Sequence, residues 1–214
     1  MSPRAEPEPV RLYLVRHGQA RADDGSYGPD TPLSPLGRRQ AEAVAVALAH
    51  AGLVAVYASP MRRARETAEP LARVTGLEIH VDERLTEFEL ADWGPDQEFD
   101  WTIWRGEDAG VPGGETLRAF ADRVGTACDD IVTPHAGQAV AIVAHSGTTD
   151  AILRWVMSIP ADSPWSHEFD LPNAAVVELL VWPEGRHPEG APRYGVIQRA
   201  PNLDHLPEPL RSDS

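Results

Sequence analysis

Short apolar runs alternate along this chain with longer stretches of mixed polarity, and that alternation predicts its elements. Leu12-Tyr-Leu-Val15 is a run of strand formers long enough for one buried strand, and it stops at Arg16-His17-Gly18. After a loop over residues 20–32, rich in glycine and proline, Ser34-Pro35 reads as an N-cap followed by a first-turn proline. The helix it opens extends to about His50, with Gly52 closing it. Leu53 to Tyr57 is a second strand, and Ser59-Pro60 opens a helix with Ala64, Ala68 and Leu71 on one face. Gly76 ends that helix, and Leu77 to Val81 is a third strand.

Residues 82–112 carry no clear period. A helix from about Glu115 to Val132 presents Leu117, Phe120, Val124, Cys128 and Ile131 as one stripe. Val140 to Ala144 is a fully apolar strand, followed by a helix from Thr148 to Ile159. Ala174 to Val181 and Tyr194 to Arg199 are two further strands around a Pro/Gly-rich turn at 183–192. Strands alternating with helices predict an α/β domain, helices packed on both faces of a mainly parallel sheet. The expected organisation is a flexible N-terminus at 1–9, a single domain over 10–200 and a tail at 201–214.

Composition narrows the function. The formal net charge of −14 disfavours a nucleic-acid footprint or an anionic membrane surface. No apolar run is long enough to span a bilayer. The proline-rich start lacks the layout of a secretory signal, and Cys128 is the single cysteine, so a reducing, cytoplasmic setting is expected. Paired-cysteine zinc sites are excluded, no carboxylate cluster suggests another metal, and no cofactor is expected. Neither Gly-x-Gly-x-x-Gly after a strand nor a Gly-Lys-Ser/Thr loop is present, so the nucleotide-binding signatures are missing. An anionic substrate would have to be drawn by local arginines, since charges beyond about 8 Å are largely screened at physiological salt.

Candidate chemistry sits at strand ends, where ligands bind in open α/β sheets. Arg16-His17 follows the first strand, and His145-Ser146-Gly147 repeats that setting after Val140 to Ala144. Arg62, Arg63 and Arg65 open the helix after the second strand, where free N–H groups and the dipole favour an anion. At helical spacing only one or two of the three reach a common pocket, and the others form a solvated basic face. Glu87, after the third strand, is suited to proton donation if a phosphate nearby raises its proton affinity.

Taken in order, these stretches resemble the histidine phosphatase superfamily, the phosphoglycerate mutase-like proteins. The marks are Leu14-Val-Arg-His-Gly18, Leu33-Ser-Pro-Leu-Gly37 with Gln40-Ala41, Ser59 to Ala68, Leu85-Thr-Glu87, Pro112-Gly-Gly-Glu-Thr116 and Val143-Ala-His-Ser-Gly147. The resemblance implies a three-layer α/β/α sandwich and a phosphohistidine mechanism on a small phosphorylated substrate. His17 would be the nucleophile, Glu87 the proton donor and later the base, and Arg16, Arg63 and His145 the groups holding the phosphoryl oxygens. Arg63 is chosen over Arg62 because the family's arginine directly precedes an alanine. Gly18, Gln19 and Ser146, which flank the two histidines, are assigned to substrate binding.

Departures from the family bear on the substrate. Gln19-Ala-Arg-Ala-Asp-Asp24 stands where many members carry Glu, then Ser or Thr, then a phosphate-touching Asn, and Ala91 and Thr116 replace a frequent Gly and Ser. The segment between Glu87 and Gly113 is short beside that of cofactor-dependent mutases, which favours hydrolysis in an open pocket. A phosphoglycerate mutase-type phosphotransferase and a catalytically silent phosphate-binding protein are the alternatives. Trp93, Trp101 and Trp104 are expected to form a small satellite core. A homodimer is compatible with the sequence, which does not fix the oligomeric state.

Overall fold

The computed structural model describes residues 8–22, 28–88, 114–165, 169, 171–183 and 194–212. The tryptophan-bearing segment 89–113 and the turn 184–193 lie outside the described residues. Strands β1 (Val10–Arg16), β2 (Leu53–Ala58), β3 (Ile79–Val81), β4 (Ala139–Ala144), β5 (Val176–Trp182) and β6 (Tyr194–Asn202) form one sheet in the order β3-β2-β4-β1-β5-β6. The pairings β3–β2, β2–β4 and β4–β1 are parallel, whereas β5 is antiparallel to both β1 and β6. Helices α1 (Pro35–Leu48), α2 (Arg62–Thr75), α3 (Leu117–Val132) and α4 (Ser146–Val156) cover the faces.

Every residue of β4 is buried, and its side chains alternate between two cores. Val140 and Ile142 pack with Leu12 and Leu14 of β1 against Phe120, Val124 and Ile131 of α3 and Ile152 of α4. Ala141 and Val143 pack with Val15 and Val56 against Val44 of α1 and Ala64, Ala68 and Leu71 of α2. The result is the three-layer sandwich, α1 and α2 on one side and α3 and α4 on the other.

Local chemistry sets the element ends. Ser34 Oγ accepts from the Gly37 N–H at 3.0 Å, so the expected N-cap forms. Gly76 closes α2 in the left-handed region at φ 72°. Some ends move. α4 begins at Ser146, directly after His145, rather than at Thr148, and stops at Val156. β5 begins at Val176, because Ala174 lies in a turn at φ 59°. The stretch after 200, read from the sequence as a tail, continues β6 to Asn202 and then packs inward. Leu206 is fully buried there, and Leu203 and Leu210 lie against the α1/α2 core.

Register decides where the site falls. Arg16 of β1 pairs with Ala144 of β4, and Ala58 of β2 with Val143. The ladders extend one bond further, from the His17 N–H to the Ala144 carbonyl and from the Ser59 N–H to the Val143 carbonyl. His17, Ser59 and His145 therefore emerge side by side at the carboxyl ends of three adjacent parallel strands.

Candidate active site

His17 and His145 are both buried, with ring centroids 5.1 Å apart in an edge-on arrangement. The Nδ1 of His17 lies 2.7 Å from the Gly18 carbonyl oxygen, which can only accept, so Nδ1 carries the proton. The opposite nitrogen, Nε2, then bears the lone pair, and it accepts from Arg63 Nε–H at 3.1 Å. Burial, followed by the charges of Arg63 and Arg16, lowers the His17 pKa to about 3, against the opposing pull of the Gly18 carbonyl. His145 is likewise held well below its ordinary value, by burial first and then by His17 and the Arg63 and Arg16 charges. Its Nε2 lies 2.7 Å from Ser59 Oγ, and Ser59 Oγ also accepts from the Met61 N–H at 3.3 Å.

Arg63 extends from the first turn of α2 and is almost wholly buried. Besides the bond to His17, its Nη1 donates to the Gly28 carbonyl at 3.0 Å, tying Gly28 to the site. Arg16 donates to the Leu171 carbonyl, and its charge acts on both histidines. Arg62 turns away instead: its Nε pairs with Glu66 at 2.6 Å on the half-exposed outer side, and Arg65 is exposed. Of the three candidates, Arg63 is the one that meets the histidines.

Glu87 is half-buried against the N-terminus of α4. Its Oε2 accepts from the Gly147 N–H at 2.9 Å, and Oε1 from the Phe88 N–H at 2.9 Å. Burial raises its pKa and outweighs the opposing hydrogen bonds from Phe88 and Gly147, the Arg63 charge and the Thr148 N–H. The structure thus brings together Arg16, His17, Arg63, Glu87 and His145.

The flanking assignments fare differently. Gly18 donates its N–H to Thr67 Oγ1 at 3.0 Å, and a Cβ on Gly18 would stand 2.6 Å from the Gly37 carbonyl oxygen. Gln19 gives its N–H to Gln40 Oε1 at 2.7 Å, and its own Oε1 accepts from Ser34 Oγ at 2.7 Å. These bonds tie the loop after His17 to α2 through Thr67 and to α1 through Gln40. Ser146 is the half-buried first residue of α4.

Three supporting residues were given no role in the site from the sequence. Ser59 orients His145, Thr67 bridges the Gly18 N–H and the Arg63 carbonyl, and Asn173 Nδ2 donates to the His17 carbonyl at 3.4 Å. Asn173 is held in turn by Ser212 Oγ at 3.2 Å, and Gln40 Nε2 reaches the Leu210 carbonyl at 2.7 Å. The docked C-terminal stretch therefore buttresses the back of the loop after His17. Among the described residues no group of three or more His, Cys, Asp or Glu is placed to hold a metal ion, and no helix is long and apolar enough to cross a membrane.

Two imidazoles, two guanidiniums and a carboxyl, gathered at strand ends of an α/β sandwich, are the equipment of a metabolite phosphatase or phosphomutase. The chain belongs to the histidine phosphatase superfamily, branch 1, whose family model matches residues 12–190. A glucosyl-3-phosphoglycerate phosphatase of Mycolicibacterium vanbaalenii is 33% identical over 188 residues, covering 79% of this chain and 83% of the relative. A protein of an Enterobacter species that carries a phosphoglycerate mutase name, GpmB, is 30% identical over 165 residues, covering 71% and 77%. A solved mycobacterial glucosyl-3-phosphoglycerate phosphatase superposes with a TM-score of 0.71 at 30% identity, covering 89% of this chain and 98% of that one.

Proposed function

We propose that this protein is a phosphomonoester hydrolase acting on a small phosphorylated metabolite through a phosphohistidine at His17. The observation that carries the reading is the state of His17: Nδ1–H is fixed on the Gly18 carbonyl, and the Nε2 lone pair lies against Arg63 in a ring that stays neutral. Neutral imidazole needs no deprotonation to attack, and it splits one slow displacement into two easier steps.

In the first step the Nε2 lone pair attacks phosphorus in line, and the ester P–O bond breaks. Glu87, whose proton affinity burial raises, gives a proton to the departing alkoxide. Arg63 and Arg16 hold the equatorial oxygens, the Arg63 Nε–H moving from Nε2 onto phosphate, and fixed cations of this kind supply most of the stabilisation in phosphoryl transfer. His145 adds a donor in the tautomer where Ser59 Oγ–H donates to Nε2: Nδ1, which has no hydrogen-bond partner among the described residues, then carries the proton. In the second step the Glu87 carboxylate takes a proton from water, water oxygen bonds to phosphorus, and the N–P bond breaks to release phosphate.

Hydrolysis is favoured over phosphomutase activity by the short chain between Glu87 and Gly113 and by the phosphatase name of the Mycolicibacterium relative. A net charge of −14 supports a small metabolite over nucleic acid, and a single, buried cysteine suits a reducing cytoplasm. The test is turnover of a panel holding phosphoserine, 3-phosphoglycerate, glucosyl-3-phosphoglycerate and p-nitrophenyl phosphate by wild type and His17→Ala. Phosphate release by wild type and its loss in the variant are expected. Isomerisation of 3-phosphoglycerate without phosphate release would make the protein a mutase, and binding without turnover a scaffold.

A further inference from the structure

Arg123, on the inner face of α3, lies outside every motif noted above. Its Nε and Nη2 form a bidentate pair with Glu115 at 2.6 and 2.8 Å. Nη1 donates to the carbonyls of Arg84 and Thr86 at 2.7 and 2.8 Å, and Nη2 also reaches the Glu87 carbonyl at 3.3 Å. A guanidinium has five N–H donors, and here each finds an acceptor, while the Phe120 ring backs the group at 4.8 Å.

Three of the five acceptors are main-chain oxygens of the stretch that carries the proton donor. The Glu87 carboxyl is thus held in front by the Gly147 N–H of α4, and its backbone is held from behind by Arg123 of α3. The Arg123 charge is matched by Glu115, and the positive charge that acts on the Glu87 carboxyl is that of Arg63. What Arg123 supplies to Glu87 is placement.

We propose that Arg123, oriented by Glu115, is a positioning residue that sets the reach of Glu87 to the leaving-group oxygen. The inference rests on Glu87 being the proton donor. Proton donation matters greatly to an alkoxide leaving group and little to nitrophenolate, which departs unaided. kcat/KM covers only the steps up to the phosphoenzyme, so it isolates donation from the later water attack.

The experiment measures kcat/KM for p-nitrophenyl phosphate and for the best alkyl phosphate of the panel, in wild type, Arg123→Lys, Glu115→Gln and Glu87→Gln. Arg123→Lys replaces a planar fork by a point charge, and Glu115→Gln keeps size while weakening the buckle. A displacement near 1 Å costs about 100-fold where geometry is decisive, so alkyl kcat/KM is expected to fall about 10- to 100-fold in both variants. The aryl value is expected to change less than about 3-fold, because it does not draw on acid catalysis. Glu87→Gln should show the same selective loss. Equal losses on both substrates, or none, in Arg123→Lys and Glu115→Gln beside a selective Glu87→Gln would overturn the positioning role. If Glu87→Gln itself is unselective, the fault lies with Glu87 as the acid.

Discussion

Alanine at position 147 would put a Cβ 2.6 Å from Glu87 Oε1 and 3.3 Å from its Cδ. Ordinary contact begins near 3.4 Å, so the carboxyl would have to retreat by about 0.8 Å or swing away from the Gly147 N–H that now holds it. The obstacle is the end of a side chain rather than backbone, so the fold can yield at this point. Gly147 lies in the first turn of α4, where alanine gains about 0.5–1 kcal/mol of helix propensity. Losing a hydrogen bond to a charged or partly charged carboxyl costs about 1.5–3 kcal/mol, and the two effects partly offset. The net change should stay within about 2 kcal/mol, a Tm shift of about 4–8 °C for a chain of this size. Catalysis should suffer far more, because a shift approaching 1 Å in a proton donor costs about 10- to 100-fold. Thermal melts and alkyl-phosphate kcat/KM on Gly147→Ala measure both quantities. A folded variant with wild-type kcat/KM would refute the placement of Glu87 as the acid.

Further outcomes follow from the same geometry. Arg63→Ala should cost about 100- to 1,000-fold in kcat through loss of a fixed transition-state donor, whereas Arg62→Ala, which breaks an outward pair with Glu66, should cost less than about 3-fold; steady-state kinetics compares them. Ser59→Ala frees His145 from its fixed orientation, and a loss of about 10-fold in kcat with retained fold is expected. For pH dependence of stability, His17 has a folded pKa near 3, below its unfolded value of about 6.5, so the unfolded state binds more protons between those limits. Stability should therefore fall as pH drops through that window, by at most about 1.4 kcal/mol per pH unit for this group. Urea midpoints measured from neutral to acid pH should show a shallower fall in His17→Gln than in wild type.

The grouping of Arg16, His17 and His145 was legible because each hangs on a strand-end signal that short-range chemistry reports: an apolar run, then a base or imidazole, then glycine. Arg16, His17 and His145 are of this kind, as is the Ser34-Pro35 helix start. Separating Arg63 from Arg62 by physics alone was harder. Adjacent helical positions point about 100° apart, and which one faces the sheet depends on how α2 docks. What stayed hidden were contacts between distant parts of the chain. Arg123 meets residues 84–87 across a gap of 36 to 39 positions, and Ser212 meets Asn173 across 39, with no local pattern announcing either. The packing of the stretch after 200 was hidden for the same reason: its prolines suggest a tail, and Leu206 joins a core set by α1 and α2 that no local pattern announces.

The most direct test is to trap the phosphoenzyme by alkaline quench during turnover and locate the phosphoryl group by peptide mass spectrometry and phosphorus NMR. The phosphoryl group should sit on Nε2 of His17 and be absent from His17→Ala. A label on Nδ1, a label on His145, or turnover with no phosphohistidine at all would contradict the mechanism.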